Sequence, residues 1–147
     1  MIDVHAVAED RLRRLGQRYT AQRRALVSML VSAGQPLSLP EVLQAEAGLK
    51  QSSVYRNLAA LEQAGVVQRV VTDDGYGRYE PAEDLTGHHH HLVCSRCGKV
   101  RDVDLPGSLE RTLDRTLDAI AGRAGFAQVS HRLDLVGMCA LCAGRAQ

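Results

Sequence analysis

The chain has very few aromatic residues: tryptophan is absent and Phe126 is the only phenylalanine among 147 residues. Its core must therefore be built from Leu, Val and Ala side chains. No apolar run approaches the roughly 20 residues that a membrane-spanning helix needs, so no membrane contact is expected. The sequence shows no signal-peptide pattern, which predicts a reducing, cytoplasmic setting. This length is enough for one domain or two small ones.

The chain also lacks a large excess of either charge sign, because its formal net charge is only +1. The distribution is uneven, however. Residues 11–72 contain nine basic and three acidic side chains, a net charge of +6, so the remainder carries −5. A basic N-terminal half joined to an acidic remainder suggests two separate tasks, the first suited to nucleic acid.

Cysteine is limited to four residues, which form two C-x-x-C pairs: Cys94, Cys97, Cys139 and Cys142. Two such pairs make a closed shell of four sulfurs, the usual design of a structural zinc site. The 41 residues between the pairs exceed the spacing of a compact zinc ribbon, so a folded domain must bring them together. Two disulfides are disfavoured by a reducing compartment, and a redox centre would need only one pair.

Four consecutive histidines, His88 to His91, lead directly into the first cysteine pair. If this segment is extended, His89 and His91 point to one side while His88 and His90 point to the other. Each pair can start a metal site with nearby carboxylates or imidazole, and such donors suit Zn, Fe, Mn, Co or Ni. The candidate partners are Glu80, Glu83, Asp102, Asp104, Glu110 and His131. The alternative is a solvated run of histidines without a specific site.

The N-terminal half has helical periodicity, with predicted helices over residues 7–15, from 20 to 34, from 38 to 48 and over 51–64. Thr20 is a predicted N-cap, and Ser38 with Glu41 forms a predicted capping box. The last two helices give a helix-turn-helix pattern in which Arg56 could read guanine and Asn57 adenine. The alternative is a plain helical bundle with solvated arginines.

Strand patterns follow these helices. Residues 66–72 and 78–80 predict a hairpin around the turn signal Asp73-Asp74-Gly75, as in the wing of a winged helix. Further on, strands are predicted over 91–94, 100–105 and 128–138, with an amphipathic helix over 109–121. Three strands and one helix make a marginal core, which zinc binding and dimerisation would both support.

Several segments occur in a characteristic order: Tyr19-Thr20-Ala21-Gln22-Arg23, Ser53-Val54-Tyr55-Arg56-Asn57-Leu58, Arg78-Tyr79-Glu80, the histidine run with Cys94-Ser95-Arg96-Cys97, then His131 and Gly137-Met138-Cys139-Ala140-Leu141-Cys142. In these motifs the chain resembles the ferric uptake regulator family of metal-dependent bacterial repressors. The resemblance implies an α+β fold, with a winged-helix DNA-binding domain over 1–82 and an α/β dimerisation domain over 83–147 that carries the four-cysteine zinc site. A short hinge is expected near 81–88.

The resemblance also implies a homodimer, not an enzyme, that binds palindromic DNA operators when its sensory metal is loaded. It assigns the regulatory metal to Glu80, His89, His91 and Asp102. It assigns a second metal site to His88, His90, Glu110 and His131. The DNA-contact residues that it implies are Arg18, Thr20, Arg23, Ser52, Ser53, Tyr55, Arg56 and Asn57.

The identity of the sensory metal stays open between Fe²⁺ and Zn²⁺, with Mn²⁺ and Ni²⁺ as further candidates. The chain lacks the His that many family members carry near Gln35-Pro36, and Gln68 stands where zinc-sensing members often have a ligand. Absence of sulfur near Glu80 favours a harder ion than zinc. Alternatives are a peroxide-responsive regulator of the same family, a zinc-dependent enzyme, or a zinc-ribbon adaptor that binds protein. The H-x-E signature of zinc deaminases is missing.

Overall fold

The computed structural model describes residues 1–72 and 75–144. Its elements, in chain order, are α1 (Val4–Arg14), α2 (Ala21–Ala33), β1 (Leu37–Ser38), α3 (Leu39–Ala45), α4 (Gln51–Gln63), β2 (Val67–Val71), β3 (Gly77–Pro81), α5 (Glu83–Thr86), β4 (His90–Cys94), β5 (Val100–Val103), α6 (Gly107–Arg123), β6 (Asp134–Gly137) and α7 (Ala140–Gly144). This mixed architecture confirms the predicted fold class.

The helix starts in the N-terminal half follow local capping signals. The Thr20 hydroxyl accepts a hydrogen bond from the Arg23 amide at 3.3 Å, as predicted for the N-cap of α2. Ser38 and Glu41 form the predicted capping box, in which the Ser38 amide donates to the Glu41 carboxylate at 2.7 Å. These caps satisfy amides that the first helical turn leaves without partners.

The first sheet has the strand order β1-β3-β2, and β3 is antiparallel to both neighbours. Strands β2 and β3 form the predicted wing, although the predicted turn residues Asp73 and Asp74 lie outside the described residues. The two-residue strand β1 was not predicted, because Leu37 and Ser38 are too short a run to show periodicity. The register places Gln68 opposite Glu80.

An apolar core holds the helices and the wing together. It consists of Ala8, Leu12, Leu26, Val27, Leu30, Val42, Val54, Leu58, Leu61, Val66, Val67, Tyr79, Ala82 and Leu85. The last two residues lead into and lie within α5, so this short helix packs on the first core. The division of the chain at residue 82 stays a prediction.

The second sheet has the order β5-β4-β6, with β4 antiparallel to β5 and parallel to β6. The prediction for the last strand was wrong in length, because only Asp134–Gly137 is strand and residues 128–133 are not. Gln128 has a positive φ of 54°, which interrupts an extended backbone. Strand β5 ends at Val103 rather than at 105, and α7 was not predicted.

No helix among the described residues is long and apolar enough to cross a membrane. Taken together, the elements form a helical half with a winged hairpin, followed by a small half with three strands and the long helix α6. Strand β4, which contains His90 and His91, is central in the second sheet, and its His91 contacts Glu80 of the wing's β3. That arrangement sets the geometry of the sites.

Candidate metal centres and nucleic-acid interface

The four cysteines converge in a cysteine cluster (Cys94, Cys97, Cys139, Cys142), whose sulfurs all lie within 4.8 Å of one another. All four are free thiols. The Cys97 and Cys139 Sγ atoms are 3.9 Å apart, close to the roughly 3.8 Å expected for sulfurs that share a tetrahedral zinc with bonds of about 2.3 Å. The cluster is thus compatible with the predicted structural zinc.

Local backbone geometry prepares these sulfurs for a cation. Backbone N–H groups of Cys97, Cys139 and Arg96 lower the pKa of Cys94 to about 6, which favours its thiolate. The hydrogen bond with Cys139 and burial raise the pKa of Cys142 to about 12, since neighbouring sulfurs disfavour another negative charge. A divalent cation relieves this mutual repulsion, so the ligand set fits zinc on electrostatic grounds.

A first His cluster (Glu80, His89, His91, Asp102) forms where the wing meets the second sheet. The buried Glu80 places Oε2 at 3.0 Å from His89 Nε2 and 3.2 Å from His91 Nε2. Asp102 Oδ1 lies 3.9 Å and 3.8 Å from the same two nitrogens. Two imidazoles and two carboxylates therefore converge on one point from the two halves of the chain.

Strand register explains this convergence. Pairing of β4 with β5 sets His91 opposite Asp102, so the two side chains emerge together on one face. Glu80 reaches the same point from β3, where the Gln68 amide across the wing donates to its Oε1 at 2.7 Å. Glu80 thus keeps Oε2 toward the histidines.

The charges within the first His cluster support one another. Burial disfavours ionised Glu80, but hydrogen bonds from His91, Gln68 and His89 together outweigh it and lower its pKa. The hydrogen bond to Glu80 raises the pKa of His91 despite burial. Burial opposes the charge on His89 as well, yet the Gly87 carbonyl and Glu80 raise its pKa. Burial and nearby Glu80 raise the pKa of Asp102.

A second His cluster (His88, His90, Glu110, His131) lies on the other side of β4. The Glu110 carboxylate, from the first turn of α6, is 2.5 Å from His90 Nε2 and 3.3 Å from His131 Nε2. His88 Nε2 is 3.3 Å from His131 Nε2. The alternation predicted for the histidine run therefore appears in the structure: His89 and His91 join one cluster, His88 and His90 the other.

The second ring nitrogen of most of these histidines also has a partner. His89 Nδ1 is 3.0 Å from the Gly87 carbonyl and His91 Nδ1 is 3.3 Å from Asp134, its neighbour on β6. His131 Nδ1 is 3.4 Å from Asp114, and His88 Nδ1 contacts Glu83. Such outer partners orient an imidazole so that its other nitrogen faces a metal. The buried His90 Nδ1 has no hydrogen-bond partner in the part of the chain that the structure describes.

Sequence reasoning found both clusters but missed these supporting residues. Gln68, Asp114 and Asp134 lie far from the histidine run in sequence, and only tertiary structure brings them beside it. Gln35 lines the cavity beside Glu80, His89 and Asp102. Asp104, a predicted partner, lines the same cavity but is outside both clusters.

Helix α4 offers its N-terminal polar residues to solvent. Its buried face carries Val54, Leu58 and Leu61, which leaves Ser52, Tyr55 and Arg56 exposed. Tyr55 is 54% exposed. Arg18 and Thr20 are exposed at the start of α2, and Ser53 is half-buried. The predicted contact residues thus lie at the starts of α2 and α4.

Two of the predicted DNA-contact residues are already engaged within the protein. Arg23 Nε donates to the Asn57 side-chain oxygen at 3.0 Å, and Arg23 Nη1 donates to the Arg18 carbonyl at 2.7 Å. The Asn57 amide nitrogen donates in turn to Gln22 at 2.9 Å. In this conformation Arg23 and Asn57 fix α4 against α2, a role that the sequence pattern did not indicate.

Comparison with known proteins connects these sites to a family. The model of the ferric uptake regulator family matches residues 14–136. The peroxide operon regulator of Bacillus subtilis is 30% identical over 139 residues, which cover 92% of this chain and 90% of that protein. The solved structure of the Helicobacter pylori ferric uptake regulator, described as having three functional metal-binding sites, has a TM-score of 0.73 and 26% identity, covering 97% of this chain and 95% of that one.

A third relative carries a metal in its solved structure. The ferric uptake regulator of Pseudomonas aeruginosa, solved with manganese, has a TM-score of 0.67 and 28% identity, and the match covers 91% of this chain and 98% of that one. The fold, the cysteine cluster and the matched residues all indicate the same family, as the sequence motifs predicted. The chain belongs to the ferric uptake regulator family of metal-responsive transcriptional regulators.

Proposed function

We propose that this protein is a homodimeric repressor that binds palindromic DNA operators when the first His cluster holds a divalent metal ion. The observation that carries the proposal is the position of Glu80. It belongs to β3 of the wing, yet its Oε2 lies 3.0 Å and 3.2 Å from two imidazoles of the second half. A ligand set divided between the two halves is what a metal-controlled hinge requires.

The metal ion would regulate DNA binding by joining the two halves of the chain. By holding one ion together, Glu80, His89, His91 and Asp102 would fix the wing relative to β4. Loss of the ion leaves the raised-pKa histidines and the carboxylates to hold the halves through hydrogen bonds alone. The DNA-competent arrangement is then populated less, and the apparent affinity for DNA falls by that fraction.

Dimerisation is supported by the uncovered apolar surface of the second half. Helix α6 has no buried residue of its own, and Ile120 is 50% exposed. Val136 of β6 and Phe126 after α6 are 62% and 68% exposed. A second copy of the chain would cover this surface, and two winged helices would then meet two half-sites of a palindrome.

The DNA surface of the proposal is the exposed N-terminal part of α4, with Tyr55 and Arg56 as base or phosphate contacts. Ser52, Ser53, Arg18 and Thr20 are placed to contact phosphates. For Arg23 and Asn57 the hydrogen bonds with each other support a positioning role instead. The cysteine cluster would hold structural zinc and thereby fold the second half.

The test is metal-dependent DNA binding. A duplex selected from a random pool by the metal-loaded parent protein serves as the probe, and gel shifts are run with Fe²⁺, Zn²⁺, Mn²⁺ or Ni²⁺ and after chelation. Glu80→Gln should lose roughly 5- to 150-fold in metal-dependent affinity while keeping its zinc and its dimer. Glu46→Gln, an exposed glutamate outside both clusters, is the matched control.

Two results would contradict the proposal. The parent could bind the duplex equally well after chelation, which removes the metal-sensing role. Alternatively Glu80→Gln could respond to metal like Glu46→Gln, which removes the first His cluster as the sensor. The metal that gives binding at the lowest free concentration identifies the regulator's ion.

A second candidate function is response to peroxide, supported by the 30% identity to the Bacillus subtilis peroxide operon regulator. The all-nitrogen-and-oxygen ligand set of the first His cluster accepts Fe²⁺, which is redox-active, as well as Zn²⁺, which is not. Peroxide should then release DNA from the Fe²⁺-loaded protein and leave the Zn²⁺-loaded protein bound. Equal behaviour of the two forms would remove this candidate.

A further inference from the structure

Helix α5 (Glu83–Thr86) connects the wing to the histidine run, and it is built into the N-terminal half. Leu85 is buried in the first core. The Ala82 amide, just before the helix, donates to the Val66 carbonyl at 2.9 Å. A displacement of α5 should therefore also displace the core against which α1 to α4 pack.

A side-chain pair reinforces this attachment. Asp84 of α5 forms an ion pair with Arg11 of α1, whose guanidinium also donates to the Gly65 carbonyl after α4. The hydrogen bond from Arg11 lowers the pKa of Asp84, so the carboxylate is charged at neutral pH. Through Arg11, α5 is connected both to α1 and to the end of α4.

The neighbouring residue of α5 faces the second His cluster. Glu83 contacts His88 Nδ1, while Nε2 of the same ring is directed to His131 and Glu110. His88 thus has one nitrogen in the cluster and the other on a carboxylate of the N-terminal half. Both partners are partly exposed, at 39% and 42%, so water competes for this contact.

We propose that Glu83 is a positioning residue that couples the second His cluster to the DNA-binding half. A divalent cation held in that cluster would then reduce local opening of α5 and α1. This inference rests on the function proposed above. A cation on Nε2 polarises the Nδ1–H of the ring and strengthens its hydrogen bond to a carboxylate. The gain in that bond is what holds α5 against the second half. The first His cluster is then not the only metal centre that joins the two halves.

The chain contains a matched control for this coupling. Asp114 contacts His131 Nδ1 at 3.4 Å and so supports the same cluster in the same way, but it lies on α6 within the second half. Removing either carboxylate should weaken metal binding by about 10-fold or more. Only the loss of Glu83 should separate the cluster from α5.

The experiment uses Co²⁺ as the probe, added to full-length protein that retains its structural zinc and carries His89→Ala to disable the first His cluster. Co²⁺ affinity is read from visible absorption, and hydrogen exchange of α5 and α1 amides is measured with and without saturating Co²⁺. In this background the ion should slow exchange in both helices by about 5-fold or more. No DNA is used, so this result is independent of whether the protein is a repressor.

Three variants then separate weaker metal binding from loss of the coupling to α5 and α1. Asp114→Asn should bind Co²⁺ more weakly but keep the slowing once saturated. Glu83→Gln should lose the slowing in both helices even when saturated. Asp84→Asn should keep it in α5 and lose it in α1, because Arg11 provides the connection to α1.

The proposal is overturned if saturated Glu83→Gln retains the slowing, or if Asp114→Asn loses it to the same extent. It is also overturned if Co²⁺ slows neither helix before these variants are introduced. Failure of metal-dependent DNA binding in the parent, with normal slowing here, would instead count against the proposed function alone.

Discussion

The two halves of this molecule are stabilised by different means. Among the described residues, fourteen buried ones form one continuous apolar core beneath α1 to α4 and the wing. In the second half, by contrast, α6 contributes no buried residue, and the buried positions include Cys94, Cys142 and His90. Burial of side chains supports the first half, whereas ligand convergence and expected dimer contacts support the second.

This difference indicates which half of the molecule can respond to metal binding. A half with a complete core should keep its shape when a metal leaves, so α4, the proposed DNA-contact helix, should stay unchanged. A half that depends on ligands responds to their occupancy. In the proposed function, the residues that join the halves, above all Glu80, therefore change the position of the first half without unfolding it.

The largest effect is expected from the cysteine cluster. Cys139→Ser should release one zinc per chain and unfold the second half, because structural zinc contributes about 10–16 kcal/mol in small metal-dependent domains. Elemental analysis and circular dichroism measure the loss, with the helices of the first half retained. Ser95→Ala, in the turn between Cys94 and Cys97, is the control. A Cys139→Ser protein with full zinc and full structure would show that the sulfurs do not share an ion.

The complementary change is in the first core. Leu58 is fully buried on α4, so Leu58→Ala should destabilise the first half by about 2–5 kcal/mol, whether or not metal is present. Chemical denaturation followed by circular dichroism measures it. Leu92→Ala on β4, where the side chain is 44% exposed, should cost much less. Equal losses at the two positions would contradict the contrast between the halves.

The side chains that contact DNA in the proposed complex should all lie in the first half. Arg56→Ala should weaken binding to the selected duplex by about 1–3 kcal/mol, as expected for an arginine that reads a base. Gel shifts measure the affinity, and Co²⁺ titration should show unchanged metal binding. Arg96→Ala, between the first two cysteines, is the control. If both variants bind DNA like the parent, α4 is not the recognition helix.

The smallest effect concerns the contact between the halves in the metal-free protein. The pKa values of His89 and His91 are raised above 6.5, so their stabilisation is complete below that pH and is lost as pH rises through the raised values. The lowered pKa of Glu80 keeps its carboxylate charged throughout this range. The free energy of unfolding of the metal-free protein should therefore fall slightly between pH 6 and 8, by under about 1 kcal/mol after solvent screening.

Metal affinity should change in the opposite direction over the same pH range, since protons must leave the imidazoles before they can bind an ion. Calorimetry with and without metal separates the two trends. His89→Gln should flatten the metal-free dependence. A metal-free melting temperature that rises with pH would contradict the assigned protonation.

Local signals in the sequence were enough for much of this fold. Thr20 and Ser38 start helices through their own side chains, and the alternation of His88 to His91 follows from the geometry of any strand. The start of β6 could not be predicted in this way, because the alternating pattern from 128 onward does not reveal the positive φ of Gln128, which interrupts the extended backbone. The partners Gln68, Asp114 and Asp134 depend on strand register and tertiary approach, which residue spacing does not encode.

Arg23 and Asn57 illustrate a limit of another kind. Their residue types suit DNA, and the motif they belong to is typical of the family. The hydrogen bond between them is a property of how α2 and α4 cross, which neither helix reveals by itself. A residue type indicates what a side chain is able to do, and its neighbours determine what it does.

Gly87 follows α5 with φ 96° and ψ 160°, a backbone conformation that is essentially restricted to glycine. In that conformation its carbonyl accepts the Nδ1–H of His89, so that loss of the second ring proton exposes an Nε2 lone pair facing Glu80 and Asp102. A glycine between two domains is usually regarded as a source of looseness. Here its backbone selects one of two imidazole tautomers, so a residue without a side chain determines which nitrogen of its neighbour is able to ligate an ion.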